Sequence, residues 1–315
     1  MSTTITCPST TFRAMGCQID LWLEADDSSA AVAFEAVEKL FAENERILSR
    51  FSTTSELTQL NGRTGEWVPV SDVLWNVLEE ALIWAAETNG LFDPTCLNAL
   101  EAAGYVVSFE AMATAQFNGR HQAHHLLNGQ WSSIQLDPAH QAVYLPYGLR
   151  IDLGGIAKGY TAQQAVDLMS PWGACLVNAG GDLVAGAAPS SLPGWPVGVA
   201  KPSEAGDPAD NALSLWLENA ALATSGVDYR RWTSNGRAAH HLIDPRTGLP
   251  AITDLVTATV WAAQATEAEV RATTSLIMGR HTSLDNLENQ SHLAAVLFDT
   301  DGEMYQTSNL GNLVI

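Results

Sequence analysis

The chain has 315 residues, with 15 Lys+Arg against 35 Asp+Glu and a formal net charge of −20, yet only 16% of its residues are charged and 46% are hydrophobic. This is the balance of a folded chain and not of a disordered one, and the length allows one large domain or two packed halves with a sizeable core. With lysines only at positions 39, 158 and 201, no broad cationic face can be built for a nucleic-acid backbone, so DNA and RNA are excluded as partners. A small anionic ligand stays possible if a helix N-terminus, one cation or a metal ion offsets the field locally.

Met1 to Met15 lacks the cationic start and apolar run of a signal peptide. Residues 1–10 are expected to form a flexible N-terminus and 11–315 the folded domain. No segment reaches the roughly 18 apolar residues of a membrane span. Cys7, Cys17, Cys96 and Cys175 form no C-x-x-C pair, which favours free thiols in a reducing cytoplasm.

Gln18 to Glu24 alternates apolar and polar residues and predicts a strand. Ser29 to about Leu48 carries Ala33, Val37, Leu40, Phe41 and Leu48 at helical spacing. A second helix opens at Ser71 or Asp72, which can cap it, and ends near Asn89-Gly90. Ala111 to Gly148 reads as turns and edge strands, with a strand piece at Ala142 to Leu145. A helix over Gly154 to Met169 follows, then a strand into a glycine turn (Cys175 to Asp182) and a loop from Gly186 to Pro196. Further strands are expected at Val197 to Ala200, Ala212 to Leu217, Val256 to Ala262 and Leu293 to Asp299. The helix Thr266 to Met278 should stop at a left-handed Gly279. The irregular alternation predicts an α+β fold, without repeats or a long linker.

Four segments carry polar chemistry. In R-I-D-L-G-G-I-A-K-G-Y (Arg150 to Tyr160), a strand end, two glycines and a helix start with a lysine would aim N–H groups and the helix dipole at an anion. V-N-A-G-G-D (Val177 to Asp182) is a second glycine turn that ends on a carboxylate. A-T-S-G (Ala223 to Gly226) groups small hydroxyl residues. H-H-L-I-D-P-R-T-G-L-P (His240 to Pro250) puts a histidine three residues before Asp244, a pairing that suits a base held by an acid, or a metal. His121, His124 and His125 lie outside these blocks and read as polar surface.

Together and in this order, with F-R-A-M-G (Phe12 to Gly16), R-F-S-T-T-S-E-L-T-Q-L-N (Arg50 to Asn61), G-L-F-D-P-T (Gly90 to Thr95) and A-E-V-R-A-T-T-S-L-I-M-G (Ala268 to Gly279), these segments make the chain resemble the FAD:protein FMN transferase (ApbE) family. The resemblance implies a single ApbE-like α+β domain of two packed halves. It also implies a magnesium-dependent enzyme that cleaves the FAD pyrophosphate, attaches FMN to a Ser or Thr of a target flavoprotein and releases AMP. On that pattern Met15, Phe51, Leu91, Phe92 and Asp93 line the flavin and adenine pocket, and Asp152 and Lys158 contact FAD. Asp182, Thr224, Ser225, Leu242 and Ile243 complete the cleft. His241 takes the proton from the acceptor hydroxyl, and the Gly155 carbonyl, Glu269 and Thr273 face the metal.

Two positions depart from the family pattern. Phe51 stands where many relatives have Tyr, and Glu269 stands where the metal ligand is usually Asp. Glu269 and Thr273, four apart, share a helix face, and the longer carboxylate should alter metal binding without abolishing it, because magnesium demands near-ideal geometry. Glu267 points roughly 200° around the helix and is a poor substitute. The alternatives to transfer are an FAD pyrophosphatase that uses water as acceptor and a non-catalytic FAD-binding protein.

Overall fold

The computed structural model describes residues 7–112, 129–202, 210–228, 230–234 and 237–315; the expected surface histidines at 121, 124 and 125 lie outside them. The fold is α+β, as the sequence pattern predicts. In chain order its elements are β1 (Ser9–Ala14), β2 (Cys17–Leu23), α1 (Asp27–Leu48), α2 (Glu56–Asn61), β3 (Trp67–Pro69), α3 (Asp72–Glu87), α4 (Leu97–Ala102) and α5 (Phe109–Met112). Then come β4 (Gln135–Asp137), β5 (Ala142–Tyr144), α6 (Ala157–Met169), β6 (Cys175–Ala179), β7 (Asp182–Ala185), β8 (Trp195–Ala200), β9 (Asn211–Leu217) and β10 (Ala220–Gly226). The remainder comprises β11 (Arg231–Ser234), β12 (Arg237–His240), β13 (Ile243–Asp244), β14 (Leu249–Pro250), β15 (Leu255–Ala262), α7 (Ala265–Met278), α8 (Arg280–Glu288), β16 (Ala294–Asp299) and β17 (Met304–Gln306). They divide into two compact units, one of residues 1–43, 158–228 and 254–315, the other of residues 44–157 and 229–253.

The first unit is built on an antiparallel eight-stranded sheet of order β1-β2-β6-β7-β10-β15-β16-β17. β16 is buried along its whole length, so both faces of the sheet are covered there. Ala294, Val296 and Phe298 join Trp195, Val197, Leu215 and Leu217 of the β8–β9 hairpin in one apolar cluster. The alternate residues, Ala295 and Leu297, point to the opposite face, where α7 packs on β10 and β15 and α8 on β16. Met15 and Gly16, both with positive φ (51° and 69°), form the two-residue turn between β1 and β2, the geometry that suits the twist of a tight hairpin.

The second unit holds the small sheet β3-β5-β4, the hairpins β11–β12 and β13–β14, and helices α2 to α5. Ser71 caps α3 through Leu74 N, and its own N–H and hydroxyl are held by the Glu56 carboxylate, each at 2.6 Å. α3 ends where Asn89 and Gly90 turn left-handed (φ 52° and 76°), as Asn-Gly after an apolar stripe predicts.

Several elements differ from expectation. The helix predicted from Gly154 begins at Ala157, because Gly154 to Ile156 form a turn. The loop predicted to Pro196 gives way to β8 at Trp195. The A-T-S-G segment lies in β10, inside the main sheet. Gly279 has positive φ but extended ψ (78°, 168°), so it does not form a left-handed cap, and α8 starts at the next residue. β1, α2 and α8 carry too little periodic signal to be seen in advance.

Candidate active site

In the first unit the sheet gathers polar side chains at one end. Antiparallel pairing of β2 with β6 puts Cys17 and the Met15 turn beside the end of β6, where Gly180 N donates to Gln18 O (3.0 Å). A side chain at Gly180 would meet Cys17 Cβ at 2.7 Å, so the glycine turn is required by this close approach. Asp182 opens β7 directly after that turn, and its Oδ1 accepts from Thr224 N on the paired strand β10 (3.3 Å). Thr224 Oγ1 meets Thr259 Oγ1 across the β10–β15 pair, and Ser225 Oγ meets Thr273 Oγ1 of α7, both at 2.9 Å.

Lys158, in the first turn of α6, bonds both Asp182 Oδ2 and Glu269 Oε1. The other Glu269 oxygen accepts from Gly159 N (2.9 Å). The carboxylates are 6% and 4% exposed and the lysine 17%. Burial by itself would lower the Lys158 pKa, but the two carboxylates outweigh it and hold the ammonium above its usual range. Burial pushes the Glu269 carboxyl up, against the downward pull of Lys158. All four carboxylate oxygens are thus supplied with donors, as a buried ion triad requires. Ile156 N and Ala157 N bond Leu153 O (3.1 and 2.9 Å), and Gly159 N serves Glu269. The turn therefore has fewer free N–H groups for an anion than its sequence suggests.

The donor chemistry suits magnesium: two carboxylates, and the hydroxyls of Thr273 and Ser225, are hard oxygens. Among the described residues no three His, Cys, Asp or Glu side chains converge to hold a metal. An ion here would need Lys158 to turn aside and would rely on hydroxyl, carbonyl and substrate oxygens besides.

The second unit holds the aromatic and acidic candidates. Arg50 Nε lies 3.3 Å from Asp152 Oδ1, and its guanidinium sits over the rings of Phe51 (4.1 Å) and Tyr105 (4.6 Å). Tyr105 stacks on Trp232, whose indole N–H donates to Ala103 O (2.8 Å). Phe51 keeps 41% of its surface exposed. The segment before Asp152 is pinned by Asn61, whose amide both donates to Ile151 O and accepts from Ile151 N (2.8 Å each). Leu91 follows the left-handed turn at Gly90, and Phe92 is buried with its ring against Gly155, where a Cβ would come within 3.3 Å of Cε2. Asp93 caps a short turn by accepting from Thr95 N (2.7 Å) and Thr95 Oγ1 (2.6 Å); burial nevertheless raises its pKa.

The two adjacent histidines differ. Leu242 N can only donate, so His240 Nδ1 accepts from it (3.3 Å) and Nε2–H donates to Ala251 O (3.0 Å). Burial lowers the pKa of His240, and this ring is a neutral structural clamp. His241 is half-buried beside it. Asp244 serves the turn: it accepts from Arg246 N, Nε and Nη2 (2.9, 2.9 and 2.8 Å), and Gly248 N bonds its carbonyl (2.8 Å). Asp244 is therefore engaged by Arg246, and the expectation that it holds the histidine or a metal gives way to a turn-forming role. Leu242 and Ile243 are both buried, and Ile243 packs into a core cluster with Leu100 and Tyr105.

The candidates thus fall on both units, with Met15, Lys158, Asp182, Thr224, Ser225, Glu269 and Thr273 on the first and the rest, Gly155 included, on the second. Their combination and order match one family: the model described as the ApbE family aligns with residues 15–297. The chain belongs to the ApbE family. Among similar ApbE relatives, the FAD:protein FMN transferase of Treponema pallidum (strain Nichols) is 28% identical over 291 residues, covering 85% of this chain and 77% of that protein. The one from Escherichia coli (strain K12) is 26% identical over 294 residues, covering 90% and 81%. The fold matches the crystal structure of the ApbE protein from Thermotoga maritima with a TM-score of 0.86 at 24% identity, over 98% of this chain and 99% of that one. It matches the Pseudomonas stutzeri flavinyl transferase ApbE, apo form, at 0.80 and 20%, over 99% and 98%. Sequence reasoning gave no role to Arg50, Tyr105 or Asn61, although Arg50 and Asn61 bound one of the matched blocks; Asn61 acts on Ile151, 90 residues on, and Asp152 and Trp232, the partners of Arg50 and Tyr105, are likewise remote in sequence.

Proposed function

We propose that this ApbE-family chain is a magnesium-dependent FAD:protein FMN transferase, which cleaves the FAD pyrophosphate, attaches FMN to a Ser or Thr of a target flavoprotein and releases AMP. The observation that supports this best is the buried triad of Lys158, Asp182 and Glu269 at the start of α6. In so acidic a chain it is a cation prepared for exchange: the Lys158 ammonium can leave one carboxylate for a phosphate oxygen and stay paired to the other. Family relatives bearing this activity in their names cover most of the chain.

The acceptor hydroxyl attacks the FMN phosphorus, a new P–O bond forms, the P–O bond to AMP breaks, and the hydroxyl proton passes to His241. Phe51 presents a half-exposed ring for stacking on a flavin or adenine. Asp182, Glu269 and Thr273, with the Gly155 carbonyl, would hold magnesium, which when bound offsets charge on the phosphate oxygens. Three buried cysteines without a disulfide suit a reducing cytoplasm as the setting.

The test is incubation with FAD, magnesium and a candidate acceptor protein, followed by measurement of AMP and of flavin fluorescence on the denatured acceptor. AMP together with labelled acceptor is expected. AMP without label across a panel of acceptors would replace transfer by FAD hydrolysis, and tight FAD binding without AMP would reduce the protein to a flavin carrier.

A further inference from the structure

We infer that Arg50 is a positioning residue of the flavin-binding half of the site, fixing the Asp152 carboxylate and the Phe51 ring through one side chain. The inference rests on the FAD reading above and adds to it a residue that does not itself touch the reacting atoms.

Arg50 is 5% exposed at its side chain, and among the described residues its ionic partner is Asp152. Its Nη2 is buried without a hydrogen-bond partner among the described residues. A buried guanidinium with an unused N–H costs stability, so packing alone does not account for it. Arg150, in the same unit, shows the satisfied alternative: Nε donates to Asn98 Oδ1 (2.8 Å), while Nη1 and Nη2 bond the two oxygens of Glu101. Arg50 instead sits over the rings of Phe51 and Tyr105, which themselves meet edge to face at 5.6 Å, and pairs with Asp152. Asp152 is hemmed in on its other side, because a Cβ at Gly154 would come within 3.3 Å of Oδ2. The carboxylate is thereby held at the glycine turn with one orientation, and the Phe51 ring, backed by a delocalised cation, keeps its remaining surface open. Arginine is needed for this, since a lysine ammonium cannot lie flat against a ring and pair through its edge as well.

The experiment uses the full chain and FAD as the probe, with Kd read from flavin fluorescence without metal and the midpoint of thermal unfolding recorded beside it. Wild type, R50K, R50Q, D152N, the R50Q/D152N double variant and R150Q are compared. R50Q is expected to weaken FAD binding about tenfold or more, with R50K restoring only part. R50Q should also add less in the D152N background than in wild type, because the two residues act as a unit. R150Q should lower the unfolding midpoint and leave FAD affinity unchanged. Wild-type FAD affinity in R50Q, full additivity with D152N, or failure of both R50Q and R50K to fold would overturn the positioning role while the FAD reading stands. Absence of FAD binding by the wild type would overturn the FAD reading itself.

Discussion

Lys158 and Arg50 are both buried cations beside carboxylates, yet the two units of the chain use them differently. Lys158 stands between Asp182 and Glu269 with every carboxylate oxygen supplied. Among the described residues Arg50 has a single carboxylate, two aromatic rings and an unused N–H. A compact ammonium can change partners by bond rotation while remaining paired, which would suit the exchange with a phosphate oxygen proposed above. A planar guanidinium set against two touching rings and a carboxylate cannot move without losing several contacts at once, which suits a group that holds others still.

The sharpest way to break this comparison is to remove the exchangeable cation. Lys158→Met leaves two buried carboxylates facing each other, and urea unfolding should show a loss of about 3–5 kcal/mol. An unchanged midpoint would mean that the triad is not an ion cluster at all. Next, His241→Ala should keep FAD affinity and lose about 10²- to 10⁴-fold in covalent flavin transfer, measured as acceptor fluorescence; full transfer would remove His241 as the base. Asn61→Ala deletes both bonds to Ile151 and should cost about 1–3 kcal/mol in urea while weakening FAD binding, because Asp152 follows directly. A stability loss with wild-type FAD affinity would detach Asn61 from the site.

Glu269→Asp shortens the reach to Lys158 and Gly159 and should raise magnesium affinity by calorimetric titration, with a rise of the unfolding midpoint in magnesium larger than in wild type. Equal metal affinity in the two proteins would show that Glu269 is no ligand. The smallest effect is expected at His240. Its folded pKa lies below the ordinary 6.5 because of burial, so the unfolded chain takes up the proton first. Stability is then full above the unfolded pKa and is lost as pH falls below it. Between pH 7.5 and 5.5 unfolding should become easier in wild type and less so in His240→Asn; parallel pH slopes would contradict the neutral-clamp assignment.

Much of this was legible in one dimension. β2, α1, α3 and α7 follow from hydrophobic period, and the Ser71 cap and the Asn89-Gly90 stop from local backbone chemistry. The helix starts three residues after Gly154, where the pattern puts it, because a glycine turn and a first helical turn share the same residue types. The left-handed cap at Gly279 failed because Asp254 Oδ1 accepts from Arg280 N (2.8 Å) and draws the chain straight into α8, a partner remote in sequence. At the site the blocks name the residues of the triad but not their pairing, and the spacing that makes Asp244 a candidate partner for a histidine or a metal does not show that Arg246 holds it.

The sequence by itself determined the α+β class, the family and the identity of the polar candidates, because periodicity, caps and motif order are properties of neighbours along the chain. Tertiary structure alone decided which cation meets which carboxylate, that both ring nitrogens of His240 are tied to the backbone, and that Arg50 backs Phe51 and Asp152. Those outcomes depend on strand register and on contacts spanning up to 111 residues, where burial makes each unpaired charge costly and so selects one arrangement.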